Sequence, residues 1–110
     1  MSDEGARIIV LGHSKKYKKD TFIHTYLKEN FQKNIPCDFI SSIMLTFLDG
    51  TKDTFEDLEG TLEIDNVSDI LRVCGTNKGI REAKIVVELD KIQQILSDTT
   101  HSFLSKYFNN

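Results

Sequence analysis

The chain has 110 residues, 39% of them hydrophobic and 28% charged, with a formal net charge of −3. That length and balance suit one folded domain with its own core and exclude a disordered polar chain. The net negative charge excludes whole-molecule attraction to nucleic acid or anionic lipid, so any such contact has to be local.

In chain order, residues 1–5 read as a flexible N-terminal tail and residues 6–110 as a single domain. Ile8, Ile9, Val10 and Leu11 form an unbroken apolar run bounded by Gly12, which predicts an interior strand needing cover on both faces. Asp20 is placed to cap a helix whose apolar face is Phe22, Ile23, Tyr26, Leu27 and Phe31. Asn34, Ile35 and Pro36 end that helix, because a residue before proline is pushed out of the helical region.

Ile43, Leu45 and Phe47 alternate with Ser42, Met44 and Thr46, the pattern of a half-buried strand. Asp49-Gly50 then predicts a hairpin. With Gly50 left-handed in a three-residue loop, Phe55 falls on the face of Ile43, Leu45 and Phe47. Thr61, Leu62, Glu63 and Ile64 suit a short strand. Asn66 caps a second helix, with Asp69 as a capping-box analogue and Val67, Ile70, Leu71 and Cys74 as its buried stripe. Gly75 closes it and residues 76–79 turn the chain. Ala83, Ile85, Val87 and Leu89 then alternate along a last strand, and Asp90 is placed to cap a final helix. Apolar positions of that helix run from Ile92 to Phe108, with a polar break at residues 97–102.

The resulting order, β-α-β-β-α-β-α, predicts an α+β fold: a ferredoxin-like split β-α-β-β-α-β antiparallel sheet with an additional C-terminal helix. No internal repeat or low-complexity segment stands out. The two cysteines, Cys37 and Cys74, are too few for a disulfide framework. The acidic N-terminus is unlike a signal peptide, and no apolar run reaches the ~20 residues that cross a bilayer. A cytoplasmic location without membrane contact is expected.

Charge is uneven along the chain. Residues 7–33 hold seven Lys/Arg and two Asp/Glu, whereas residues 49–69 hold eight Asp/Glu and one Lys. The basic candidate site is Lys15, Lys16, Tyr17, Lys18 and Lys19, read as joining a strand to a helix N-terminus, where an anion or nucleic acid is favoured. It is no P-loop, because a second glycine before the lysines is missing. The acidic candidate surface is Asp53, Glu56, Asp57 and Glu59.

His13, His24 and His101 are widely spaced and the cysteines form no CxxC, so no metal or cofactor is expected. No Gly-x-Ser-x-Gly or similar nucleophile motif occurs, and an enzyme ranks below a binding role. The aromatic strand signature of RNA recognition motifs is missing too.

The Lys-, Ile- and Asn-rich style of a short chain with an Asp-Gly hairpin resembles small proteins from AT-rich tailed-phage genomes. That resemblance implies a viral assembly or host-modulating role. The expectation is a non-catalytic protein-interaction or assembly module that binds a protein partner or self-associates. The alternative is a regulatory protein that binds nucleic acid or a phosphorylated ligand through residues 15–19.

Overall fold

An interior strand must find hydrogen-bond partners on both edges, and the first strand of this chain does. The computed structural model describes residues 6–15, 19–22 and 34–93, with only the backbone described at 19–22, 92 and 93. Among these residues, β1 (Arg7–Ser14), β2 (Lys19–Phe22), β4 (Ile40–Phe47), β5 (Lys52–Phe55) and β7 (Ile80–Glu88) form one sheet in the order β2-β1-β7-β4-β5. β3 (Asn34–Pro36) and β6 (Thr61–Glu63) pair antiparallel as a second, two-stranded sheet. A 3₁₀ turn, Cys37–Phe39, follows β3, and the helices are α1 (Val67–Cys74) and α2 (Leu89–Gln93). The fold is a small α+β arrangement with a mixed sheet and two helices.

The sheet departs from the antiparallel ferredoxin-like one in direction and in order. β1 lies beside β7 as a parallel pair, with Val10 opposite Ile85. β4 takes the antiparallel place between β7 and β5. Chain alternation fixes which face of a strand is apolar but says nothing of its neighbour, so β1 and β7 could be recognised as strands while their pairing could not.

β1 leaves its outer edge open once β7 is in place, and β2 closes it, running antiparallel with His13 opposite Asp20. Asp20 is therefore a mid-strand residue and not a helix cap. Pairing an open edge outweighs a local capping preference. The rest of the helix expected after Asp20 lies outside the described residues. So does the last helix beyond Gln93.

One face of the large sheet is the core. Val10, Ile43, Leu45, Ala83, Ile85 and Val87 have no solvent exposure, and they cluster with Ile35 and Leu62 from the smaller sheet, Ile64 just after it and Ile70 from α1. On the opposite face Ile9 and Leu11 are half-buried; on the core face Val10 is fully covered and Ile8 half-buried, so the expected cover of β1 is present in part on both sides. Asn34, Ile35 and Pro36, read as the end of a helix that lies outside the described residues, form β3, and Ile35 faces Leu62 in a fully buried cross-strand pair.

Gly12 does not end the first strand, which continues to Ser14. A Cβ at Gly12 would stand 2.7 Å from Cγ and Cδ1 of Leu89, a side chain with no solvent exposure. Glycine here lets a core side chain approach the backbone.

The Asp49-Gly50 turn forms as expected. Gly50 has φ 91° and donates its N–H to the Phe47 carbonyl at 2.9 Å, while Phe47 N–H donates to Thr51 at 2.8 Å. That three-residue loop sets Phe55 opposite Ile43, on the core face. The Asn66 side chain accepts the Asp69 N–H at 3.0 Å, and Gly75 closes α1 at φ 73°.

Candidate functional site

The basic segment sits differently from its expected place. Ser14 pairs with Lys19, so residues 15–18 connect two antiparallel strands and do not lead into a helix. The helix-end argument for anion binding falls with that. Lys15 is exposed, and its backbone N–H donates to the Asp90 carboxylate at 3.0 Å. Lys16, Tyr17 and Lys18 lie outside the described residues, and of Lys19 only the backbone is described.

The acidic cluster is built at the other edge. Asp53 lies on β5, and Glu56, Asp57 and Glu59 follow on the connection to β6; all four are exposed. Asp57 takes a left-handed φ of 57°, which turns the chain away from the strand. This connection and the end of α1 flank an open cleft of about 500 Å³ whose lining includes Phe55, Glu56, Glu59, Arg72 and Cys74. Arg72 is committed to its neighbours: its guanidinium bonds Asp69 at 2.7 Å and the Thr61 carbonyl at 2.9 Å.

The acidic candidate surface thus lies at the β5 edge, while Lys15 and the Lys19 backbone lie by β1 and β2 at the other end of the described strand order. Three strands separate β2 from β5, roughly 19 Å at about 4.8 Å per strand spacing. Strand directions give them a common end. β5 runs the same way as β1, so its acidic continuation and the 15–18 connection both leave the sheet where β1 terminates.

A short signal went unread in the sequence. Residues 19–22 and 52–55 are the same tetrapeptide, Lys-Asp-Thr-Phe, and they form the two outer strands of the described sheet. In β5 the Phe47–Thr51 bond fixes the alternation that follows. Asp53 and Phe55 direct their backbone groups at β4, while Lys52 and Thr54 direct theirs outward. Thr54 N–H meets the Asp53 carboxylate at 3.0 Å.

Elsewhere the polar chemistry is local. Asp49 accepts from the Thr51 hydroxyl at 2.6 Å and from Thr51 N–H at 2.9 Å, which holds its carboxyl below the ordinary range. Lys78 stands 4.3 Å over the Phe47 ring, and Arg81 donates to the Leu48 carbonyl at 3.0 Å, fastening the hairpin tip to the turn before β7 and to the start of β7 itself. Cys37 and Cys74 are both buried and free. Burial pushes both thiols up, that of Cys74 to about 11, with the neighbouring Cys37 adding to the rise. Among the described residues no group of three or more His, Cys, Asp or Glu is arranged to hold a metal ion. No helix among them is long and apolar enough to cross a membrane.

The chain matches no protein-family model, no curated protein and no solved structure. Its functional reading therefore rests on its own geometry.

Proposed function

We propose that this chain is a non-catalytic protein-interaction or assembly module whose contacts are made through its separated charges, the acidic β5 edge foremost. One observation carries the reading. Asp53, Glu56, Asp57 and Glu59 are exposed at the β5 edge, while Lys15 is exposed just past the end of β1, with β7 and β4 between, and Lys16, Lys18 and Lys19 follow it in sequence. Charges of opposite sign on one edge would neutralise each other. Charges of opposite sign kept apart make a molecule polar, and polar charge distributions steer protein partners.

The sign of the salt dependence tests this. A uniformly charged chain of net charge −3 repels its copies more strongly as salt is lowered. A polarised chain attracts them. Sedimentation velocity at about 0.02 M and about 0.5 M salt distinguishes the two, because the screening length shrinks several-fold over that range. The expected result is association at low salt that disappears at high salt. It should also disappear when Glu56, Asp57 and Glu59 become Gln, Asn and Gln. Repulsion at low salt, unchanged by that substitution, ends the reading.

A further inference from the structure

We infer that the β5 edge takes up an extended basic segment of a partner protein as an added antiparallel strand. The inference deepens the interaction-module reading and rests on it. Three observations converge.

The first is an open edge. β5 ends the described strand order and pairs with β4 in unbroken register, from Lys52 opposite Thr46 to Phe55 opposite Ile43. The backbone groups of Lys52 and Thr54 point away from β4, and both residues are exposed. Proline and bulges commonly protect such an edge, and β5 has neither. The outward Thr54 N–H is met by the exposed Asp53 carboxylate at 3.0 Å, a contact that an incoming backbone carbonyl replaces.

The second is unbalanced charge. Asp53 on the strand and Glu56, Asp57 and Glu59 just after it are exposed, and among the described residues none of the four is in an ion pair. Lys52 is the one cation on β5. Arg72, at the adjoining cleft, is held by Asp69 and the Thr61 carbonyl. A second copy of this edge would bring two acidic clusters together, whereas a strand bearing lysine or arginine meets complementary charge.

The third is an apolar seat beside the edge. Phe55 lies on the core face, opposite Ile43, and lines the cleft of about 500 Å³ together with Leu58, Val73 and Cys74. Directly opposed residues share a face, so an apolar side chain opposite Phe55 packs against its ring at the mouth of that cleft.

Register then specifies the partner. Its residues opposite Lys52 and Thr54 exchange two backbone bonds each. Read from the partner's N-terminal side, the residue beside Glu56 is basic and the one opposite Phe55 is apolar. A small polar residue follows opposite Thr54, then a basic one opposite Asp53 and an acidic one opposite Lys52. A handful of backbone bonds and exposed ion pairs, set against the entropy of association, make the contact weak and salt-sensitive.

The test is a titration of the full chain with a capped heptapeptide, Thr-Lys-Val-Thr-Lys-Glu-Thr, followed by backbone amide shifts. Saturable shifts are expected at Lys52 and Thr54, with affinity falling about tenfold between about 0.02 M and about 0.5 M salt. Exchanging the first lysine of the peptide with its glutamate keeps the net charge but reverses two facing pairs, and should weaken binding about tenfold. Asp53→Lys should lose the parent peptide by a similar factor and take up the version with glutamate at the facing position. N-methylation of the peptide gives a readout that leaves the protein untouched. Methylating the threonine opposite Thr54 should weaken binding at least tenfold, whereas methylating the lysine opposite Asp53, whose N–H faces away from β5, should change it less than about threefold.

Equal binding of the two methylated peptides, or of the exchanged peptide, would mean charge attraction without strand addition and overturn the inference. Absence of shifts at β5 would overturn it as well. Shifts at Lys52 and Thr54 that grow with protein concentration before any peptide is added would assign the edge to a second copy and do the same. If copies still attract at low salt while the peptide fails, the interaction-module reading stands and only the strand addition is lost.

Discussion

The Ser14 hydroxyl donates to the Asp90 carboxylate at 2.8 Å, joining the end of β1 to the first turn of α2 across 76 residues of chain. Asp90 sits inside α2, which begins at Leu89, so it does not cap that helix as the sequence suggested. Its second oxygen takes the Lys15 N–H at 3.0 Å. Ser14 has no solvent exposure, so water cannot replace its partner. Ser14→Ala should cost about 1.5–3 kcal/mol, the range for hydrogen bonds to a charged group. Asp90→Ala should cost at least as much, because it removes both bonds. Urea denaturation of the two variants measures this, and a loss below about 0.5 kcal/mol for both would show the contact to be idle.

Gly12 and Gly79 present the same clash with opposite consequences. A Cβ at Gly79 would lie 2.7 Å from Cδ1 of Leu48, matching the 2.7 Å approach of Leu89 at Gly12. Leu48 is 56% exposed and can swing into water, whereas Leu89 is fully enclosed. Gly12→Ala should therefore destabilise by about 1–3 kcal/mol, as overpacked cores do. Gly79→Ala should stay within about 0.5 kcal/mol of the parent. Thermal melts of the pair decide it, and equal losses would mean that Leu89 has room that the packing does not reveal.

These two positions also show what the sequence could and could not convey. The alternation of Ile43, Leu45 and Phe47, the Asp49-Gly50 loop that carries Phe55 to their face, and the Asn66 cap were all legible, because each depends on residues within a few positions. The parallel pairing of β1 with β7 was not, since edge choice is made between segments some 75 residues apart. Gly12 read as a strand end because nothing nearby in sequence announces Leu89. Of the candidate surfaces, the acidic residues kept their expected exposure. The basic segment lost its helix, because Lys19–Phe22 closes the open edge of β1. The repeated Lys-Asp-Thr-Phe stands in the sequence, but nothing near either copy announces that both form outer strands of the described sheet.

Asp69 organises the start of α1 in a way a simple capping box does not. In that motif the third residue reaches back to the cap's own N–H. Here the Asp69 carboxylate instead takes the Glu63 N–H at 2.5 Å, tying α1 to β6, and holds Arg72 with its other oxygen. Asn66→Ala should cost about 1 kcal/mol, the ordinary value of a lost cap. Asp69→Ala should cost more, about 1–3 kcal/mol, because it leaves the part-buried Glu63 N–H without that partner. The double variant should lose less than the sum, since the Asn66 side chain bonds the backbone of Asp69 itself. Chemical denaturation of the four-member cycle tests this, and strict additivity would mean that the two bonds act independently.

Cys74 gives the chain an alkaline weakness. Burial holds its thiol protonated to about pH 11 in the folded state, against an ordinary value of 9.0. The sign follows from proton counting. Above pH 9 the unfolded chain releases the thiol proton while the folded chain keeps it, so the unfolded state binds fewer protons and stability falls as pH rises. The loss begins near pH 9 and levels off near pH 11, where the folded thiol ionises too. Cys74→Ala removes the proton and should flatten this part of the profile, at the expense of a small cavity whose effect does not depend on pH. Urea midpoints of parent and variant, taken in steps from about pH 7.5 to about pH 10.5, should converge as the pH rises. Parallel profiles would show that the thiol is solvated in the folded chain. Reaction with a thiol reagent gives an independent reading. Native chain at about pH 8 should react no faster than it opens, because only the thiolate attacks and Cys74 holds its proton. A burst of labelling at Cys74 in folded protein would contradict the burial on which the alkaline effect depends.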